Sequence, residues 1–288
     1  MSLVLGHWSA DWLVLIPYSV IVALHLTGFA RMRAAAREPD RDLARQAAVF
    51  QAGLAAVLIA FVSPIDYWSD QYLWIHMIQH LLLVVVACPL IVLGAPWLVV
   101  LRAIPRPLRQ RLGRAVLLEG RPLAIRRALR GAARPVPVAL AFNLTWWLWH
   151  LPALYDLALR YTAVHYLEHG TYLAAGLALW LQLIGSHPWS PPLSPLRRAP
   201  IIFFTAVSNW VMAILLGFST TPWYPAYAQV AHGAFSAGAD QQLAAAVMWV
   251  GMEPSFVVAL VFVLNTWLRE EDNDVSVLLR RPRTSGWH

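Results

Sequence analysis

The feature that most constrains this chain is its succession of apolar runs, each close to the roughly 20 residues a helix needs to cross a hydrocarbon core. They fall near Trp12–Ala30, Ala47–Val62, Leu73–Leu93, Val136–Leu151, Ala163–Ile184, Ile201–Gly217 and Leu243–Leu268. In lipid a backbone N–H or C=O has no water to bond, so helices and closed barrels are the only viable crossings. These runs lack the strict alternation of barrel strands, which selects helices. Composition agrees, because 59% of the 288 residues are hydrophobic and 13% are charged, with a mean hydropathy of +0.55. The expectation is an all-α polytopic membrane helix bundle of about seven transmembrane helices. It forms one domain over residues 1–270, followed by a partly disordered cytoplasmic tail over 271–288.

Arginines set the expected orientation, since positive charge beside short loops is retained in the cytoplasm. Arg31, Arg33, Arg37, Arg41 and Arg45 fill the first connection, and ten arginines from Arg102 to Arg134 fill the third. Arg197 and Arg198 lie in the fifth, and Arg269, Arg280, Arg281 and Arg283 in the tail, which leaves Arg160 alone on the other side. The N-terminus is therefore expected outside and the C-terminus in the cytoplasm. Met1–Ala10 carries no basic residue ahead of its apolar stretch, so the first span is expected to be retained. The net charge of +7 sits between hydrophobic runs, which points to anionic membrane lipid and not to nucleic acid. The Arg-rich loop over about 102–134 reads equally as an amphipathic segment on the membrane surface and as a solvated linker.

Sorted by depth, most histidines fall at the outward ends of spans. His76 and His80 open the third run, His150 closes the fourth, His165 and His169 open the fifth, and His7 and His232 lie in outward segments. His76/His80 and His165/His169 are i, i+4 pairs, a spacing that puts both rings of a pair on one helix face. Two imidazoles held in register by a helix suit Zn, Cu, Fe or Ni. The competing interpretation is that interfacial histidines merely hydrogen-bond. Ionisable groups clustered at membrane depth favour function.

The seventh run begins Asp240-Gln241-Gln242 and continues to Met248, Trp249 and Met252, with Gln241, Met248 and Met252 on one face. A thioether suits Cu(I), although methionine in an apolar helix more often packs. Asp240, Gln241 and Glu168 are candidates to orient imidazoles from behind. Glu253, just before Pro254, is read first as structural, and the single cysteine, Cys88, as a small buried hydrophobe. Trp68, Trp74, Trp146, Trp147 and Trp149 read as interfacial anchors. Pro89 and Pro254 are the expected places for kinks.

Several of these motifs together resemble the CtaG-type cytochrome c oxidase assembly factors of bacteria. They are Ser63-Pro64-Ile65-Asp66, His76-Met77-Ile78-Gln79-His80-Leu81-Leu82-Leu83, Gly94-Ala95-Pro96, Trp149-His150-Leu151-Pro152, the stretch from His165 through Glu168 to His169, and Asp240-Gln241-Gln242 leading to Met248-Trp249. Where that family usually has glycines after the Asp-Gln motif, this chain has Ala244-Ala245-Ala246. The resemblance implies a multi-pass protein of the bacterial plasma (inner) membrane that assists a haem–copper oxidase and is not itself an enzyme. It further implies copper, as Cu(I), held by His76, His80, His165 and His169 with His150 or Met248 completing the site. The implied partners are an oxidase subunit in the membrane and a periplasmic copper donor. Three other readings of the same histidines stay open: a Zn-dependent lipid hydrolase with Asp240 or Glu168 as base, bis-histidine haem ligation, and a metal-free docking scaffold.

Overall fold

The computed structural model describes residues 6–36, 38, 40–116, 120–228 and 236–280. His232, Arg37, Arg281 and Arg283 lie outside the described residues, as does the tail over 281–288. Helices dominate the chain: α1 (Trp12–Ala35), α2 (Arg41–Val62), α3 (Pro64–Ser69), α4 (Leu73–Leu81), a π-helical stretch (Leu82–Ala87), α5 (Cys88–Leu93), α6 (Pro96–Ala103), α7 (Arg106–Val116), α8 (Leu123–Ala132), α9 (Pro135–Trp149), α10 (Pro152–Arg160), α11 (Thr162–Leu183), α12 (Pro195–Gly217), α13 (Pro225–Ala228) and α14 (Ala237–Arg280).

Among the described residues, five rods are long and apolar enough to cross a membrane: α1, α2, the continuous Leu73–Leu93 rod, α12 and α14. The two other expected spans correspond to α9 and α11. The 15 residues of α9 extend roughly 22 Å, short of a core of about 30 Å. Helix α11 has 22 residues, which is length enough, but it carries His165, Glu168, His169 and Gln182. The residues that lower its hydropathy include those that build the site described below. Helix α14 continues to Arg280, beyond the expected end of its apolar run at Leu268. In place of a featureless basic linker, the Arg-rich stretch holds α7 and α8, and Leu123, Ile125 and Leu129 are exposed on α8 beside its arginines.

Proline explains the irregularity in the third rod. Pro89 has no N–H to give, so the ladder cannot run undisturbed through this segment. The chain widens to a π turn just upstream, where the Cys88 N–H bonds the Leu83 carbonyl. That shift releases the Val84 carbonyl, and the Trp180 indole N–H on α11 takes it at 2.8 Å. Close approach of the two rods at this level depends on Gly176, where a Cβ would run into the Cys88 thiol. Helix α1 approaches α6 in the same way, because Gly28 lies against the Val99 carbonyl. Small residues also line the contact between α12 and α14, with a Cβ on Gly217 meeting Ala245 at 3.1 Å. Without a hydrophobic force between helices in lipid, such close packing supplies the attraction.

The apolar core runs between α4, α9, α11, α12 and α14. Phe142, Trp146, Tyr155, Tyr172 and Tyr224 are nearly inaccessible within it. Trp146 was expected at an interface, but at 2% exposure it is an internal wall, its ring 4.8 Å from His150 and 5.6 Å from Tyr172. Its spacing is that of an anchor, and only the face it presents to α11 makes it a core residue. Arg198, 7% exposed, bonds the Leu183 carbonyl at 3.2 Å and so closes the C-terminal end of α11.

Candidate metal centre

The first two turns of α4 and of α11 bring their histidines together. Helix α11 packs on α9, α10, α5 and the π stretch more than on α4, so the space beside α4 is filled by rings and not by close backbone contact. Ring centroids lie 4.4 Å apart for His76 and His80, 4.3 Å for His165 and His169, 5.0 Å for His80 and His169, and 5.5 Å for His76 and His165. His76, His80 and Glu168 are fully buried, and His169 is 1% exposed. The ligand atoms form two groups, each within a 4.8 Å span: His76, His165 and His169, and His76, His80 and Glu168. His76 belongs to both.

Hydrogen bonds fix which nitrogens are available. The Tyr227 hydroxyl has one proton and gives it to the Ser69 carbonyl at 2.5 Å. It can then only accept from His76 Nδ1, 3.0 Å away, so the proton of neutral His76 is on Nδ1 and the Nε2 lone pair is bare. The Nδ1–H groups of His150 and His169 donate to the carbonyls of Trp146 (2.7 Å) and His165 (2.9 Å). Their Nε2 atoms, buried and without hydrogen-bond partners, are left as lone pairs, and His165 Nε2 is also unpartnered. His76 Nε2 and His80 Nε2 stand 2.9 Å apart. Without a cation, one proton has to lie between them.

Glu168 completes the picture. Its Oε1 is 3.5 Å from His80 Nε2 and its Oε2 is 3.8 Å from His76 Nε2, yet neither oxygen has a hydrogen-bond partner. A buried carboxylate in that condition is costly unless it is neutralised. Glu168 is reached by a signal that was in the sequence, the i, i+3 spacing from His165, but it lies beside the ring nitrogens and not behind an imidazole.

Tyrosines enclose the cluster. Tyr155 packs 5.1 Å from His76 and Tyr172 packs 4.6 Å from His80. Through Tyr172, whose hydroxyl lies 3.4 Å from His150 Nδ1, His150 joins the same wall. Nothing in the sequence singles out Tyr155, Tyr224 or Tyr227, which come from short elements or connections, whereas Tyr172 follows Glu168 and His169 on the same face of α11, a helical spacing that could have found it.

Of the remaining expected site residues, Asp240 and Gln241 hold helix ends and Met248 packs in the core. Asp240 accepts from the backbone N–H groups of Leu73 (2.9 Å) and Trp74 (3.2 Å), capping the helix that carries His76 and His80. The Gln241 amide donates to the Leu216 carbonyl (3.0 Å) and accepts from the Trp223 N–H (2.7 Å). Met248 is fully buried in the apolar core, and its carbonyl lies 3.5 Å from the Asn209 amide. Glu253 receives the same amide at 3.5 Å. Cys88 is buried, its thiol 3.6 Å from the Leu173 carbonyl.

In comparisons with known proteins, the model of the cytochrome c oxidase caa3 assembly factor family matches residues 23–270. An uncharacterized protein of Mycobacterium bovis and another of Mycobacterium tuberculosis are each 23% identical to the chain over 279 residues, covering 93% of it. The chain spans 40% of the length of these curated relatives. No solved structure matches.

Proposed function

Since the chain belongs to the cytochrome c oxidase caa3 assembly factor family, we propose that it serves the oxidase by holding one copper ion between α4 and α11 and passing it toward the oxidase active-site copper centre. The observation that carries this reading is the spacing of three donor atoms. His76 Nε2, His80 Nε2 and Glu168 lie 2.9, 3.5 and 3.8 Å from one another. Two nitrogens bound about 2.0 Å from a tetrahedral ion stand about 3.3 Å apart, so the two Nε2 atoms, now 2.9 Å apart across a shared proton, part by only about 0.4 Å to take an ion. An ion there replaces the proton shared by the two imidazoles and neutralises the buried carboxylate. His169 and His165 are the additional nitrogens. Imidazole serves both oxidation states of copper, and the carboxylate adds affinity for Cu(II) beside the expected Cu(I).

On this reading the bundle crosses the membrane seven times, α9 and α11 included, with the site toward the outer face of a bacterial inner membrane. An oxidase subunit docked in the membrane receives the ion by ligand exchange, and a periplasmic donor supplies it. The rings of α4 and α11 lie only 5.0 to 5.6 Å apart between centroids, which favours a single ion over a porphyrin, since that needs a flat slot between its ligands from the two helices. Of the two bases a Zn hydrolase could use, Asp240 is committed to the start of α4, and Glu168 stands among the donor atoms that would hold the ion.

The test is metal analysis of protein purified in mild detergent after growth with copper. One copper per chain is expected, lost in His76→Ala/His80→Ala. Copper bound equally by that variant overturns the reading, and stoichiometric zinc in its place moves the assignment to the hydrolase.

A further inference from the structure

Next to the imidazole cluster lies a cavity of about 150 Å³ whose lining includes Asp11, Asp66, Asp70 and His165. The three carboxylates come from two segments: Asp11 caps α1, while Asp66 is on α3 and Asp70 ends it. Two are held in place, Asp11 by the Tyr166 hydroxyl and Asp66 by the Gln79 amide at 2.9 Å. None of the lining residues is an arginine, in a chain with a net charge of +7. The cavity is thus a concentrated negative field on a basic protein.

The floor of the cavity connects it to the buried donors. His165 lines it, and the same ring stands 4.3 Å from His169 and 5.5 Å from His76. Behind His165 are the unpartnered Nε2 of His169 and both unpartnered oxygens of Glu168, on side chains at least 99% buried. The two donor groups share His76, so an ion held by His76, His165 and His169 reaches His80 and Glu168 by exchanging ligands one at a time.

We propose that this carboxylate-lined cavity is the port through which the metal cation reaches the buried centre, with Asp11, Asp66 and Asp70 gathering the hydrated ion and His165 passing it inward. The inference rests on the metal reading above and adds to it a route and a rate. Fixed negative charge at the mouth of a low-dielectric passage raises the association rate of a cation by about 10- to 1,000-fold, and salt screens the effect. Asp66 and Asp70 therefore govern how fast the site fills, while His76, His80 and Glu168 govern how tightly it holds.

The experiment mixes metal-free, full-length protein in uncharged detergent with Cu(II) and follows the quenching of tryptophan fluorescence by stopped flow. Asp66→Asn/Asp70→Asn is expected to load roughly tenfold more slowly than wild type at about 0.01 M ionic strength, with the gap closing near 1 M. Asp66→Glu/Asp70→Glu, which keeps the charge, is expected to restore the rate, and all three proteins are expected to reach the same final copper content. Equal loading rates for wild type and the asparagine variant overturn the port while leaving the centre intact. A slow variant that also ends with less copper, or that the glutamates do not rescue, overturns it as well, because damage to the fold then explains the rate. Wild-type protein that takes up no copper at all overturns both the port and the metal reading.

Discussion

His76 gives its Nδ1 proton to the Tyr227 hydroxyl across 3.0 Å, and that hydrogen bond decides that Nε2 is the nitrogen turned toward His80 and Glu168. Partners behind a metal-binding imidazole fix its tautomer and orientation, and losing one costs 10- to 100-fold in affinity. Tyr227→Phe is expected to weaken copper binding by about that factor while leaving one copper per chain at saturation. Competition against a chelator of known affinity measures the first and metal analysis the second. Unchanged affinity shows that the ring is held without the hydroxyl.

Glu168 separates binding from stability. With no hydrogen-bond partner for either oxygen among the described residues, carrying a charge there is a cost that an ion offsets. Glu168→Gln keeps the shape and removes the charge, so metal-free protein is expected to gain on the order of 1 kcal/mol in stability while copper affinity falls. Thermal unfolding in detergent, with and without copper, reads both. A metal-free variant less stable than wild type contradicts the account.

Asp240 was a candidate to orient an imidazole, and the fold gives it a different task at the start of α4. Loss of a cap costs about 1 kcal/mol. Asp240→Ala is therefore expected to lower stability by about that amount and to weaken copper binding indirectly, whereas Asp240→Asn, which still accepts a hydrogen bond, retains most of both. Unfolding midpoints and copper titrations of the pair check it, and equal loss in the two variants means that the charge, not the cap, matters.

How much of this was legible beforehand depends on distance along the chain. His76 with His80 and His165 with His169 could be paired from the sequence, because the helical repeat alone puts i and i+4 on one face. That α4 and α11 face each other, and that Glu168 meets the nitrogens of α4, depends on how the π stretch and Gly176 set the two rods, which no periodicity states. Asp240 caps a helix 167 residues away, whereas its position at the head of its own apolar run pointed to orienting an imidazole. Tyr227 sits on the four-residue α13, too short to carry a pattern. The polar content that hides α11 among weak spans is the same content that marks it as functional.

Trp180 tests the π stretch. Its indole N–H takes the carbonyl released at Val84. Trp180→Phe keeps a ring in the core and leaves that carbonyl unpaired, a loss of about 1–3 kcal/mol. Thermal unfolding of the variant is expected to show that loss, and a change under 0.5 kcal/mol means that water or a shifted helix satisfies the group.

Asp66 supplies a pH dependence whose direction follows from its surroundings. Burial, helped by the charges of Asp70 and Asp11 and opposed by the Gln79 hydrogen bond, raises its carboxyl pKa from 3.8 to about 6. In the unfolded chain it ionises near the usual value. Between about pH 4 and pH 6 the folded state thus holds a proton that the unfolded state has lost, and stability falls as pH rises through that window. Below it both states are protonated, and above it the cost is complete and constant. Asp66→Asn removes the cost, so its unfolding midpoint is expected to match wild type near pH 4 and exceed it increasingly up to about pH 6, with a constant gap beyond. Metal-free protein scanned in uncharged detergent over that range provides the comparison. A gap that is flat with pH, or that opens on the acid side, shows that burial does not hold a proton on Asp66 in the folded chain.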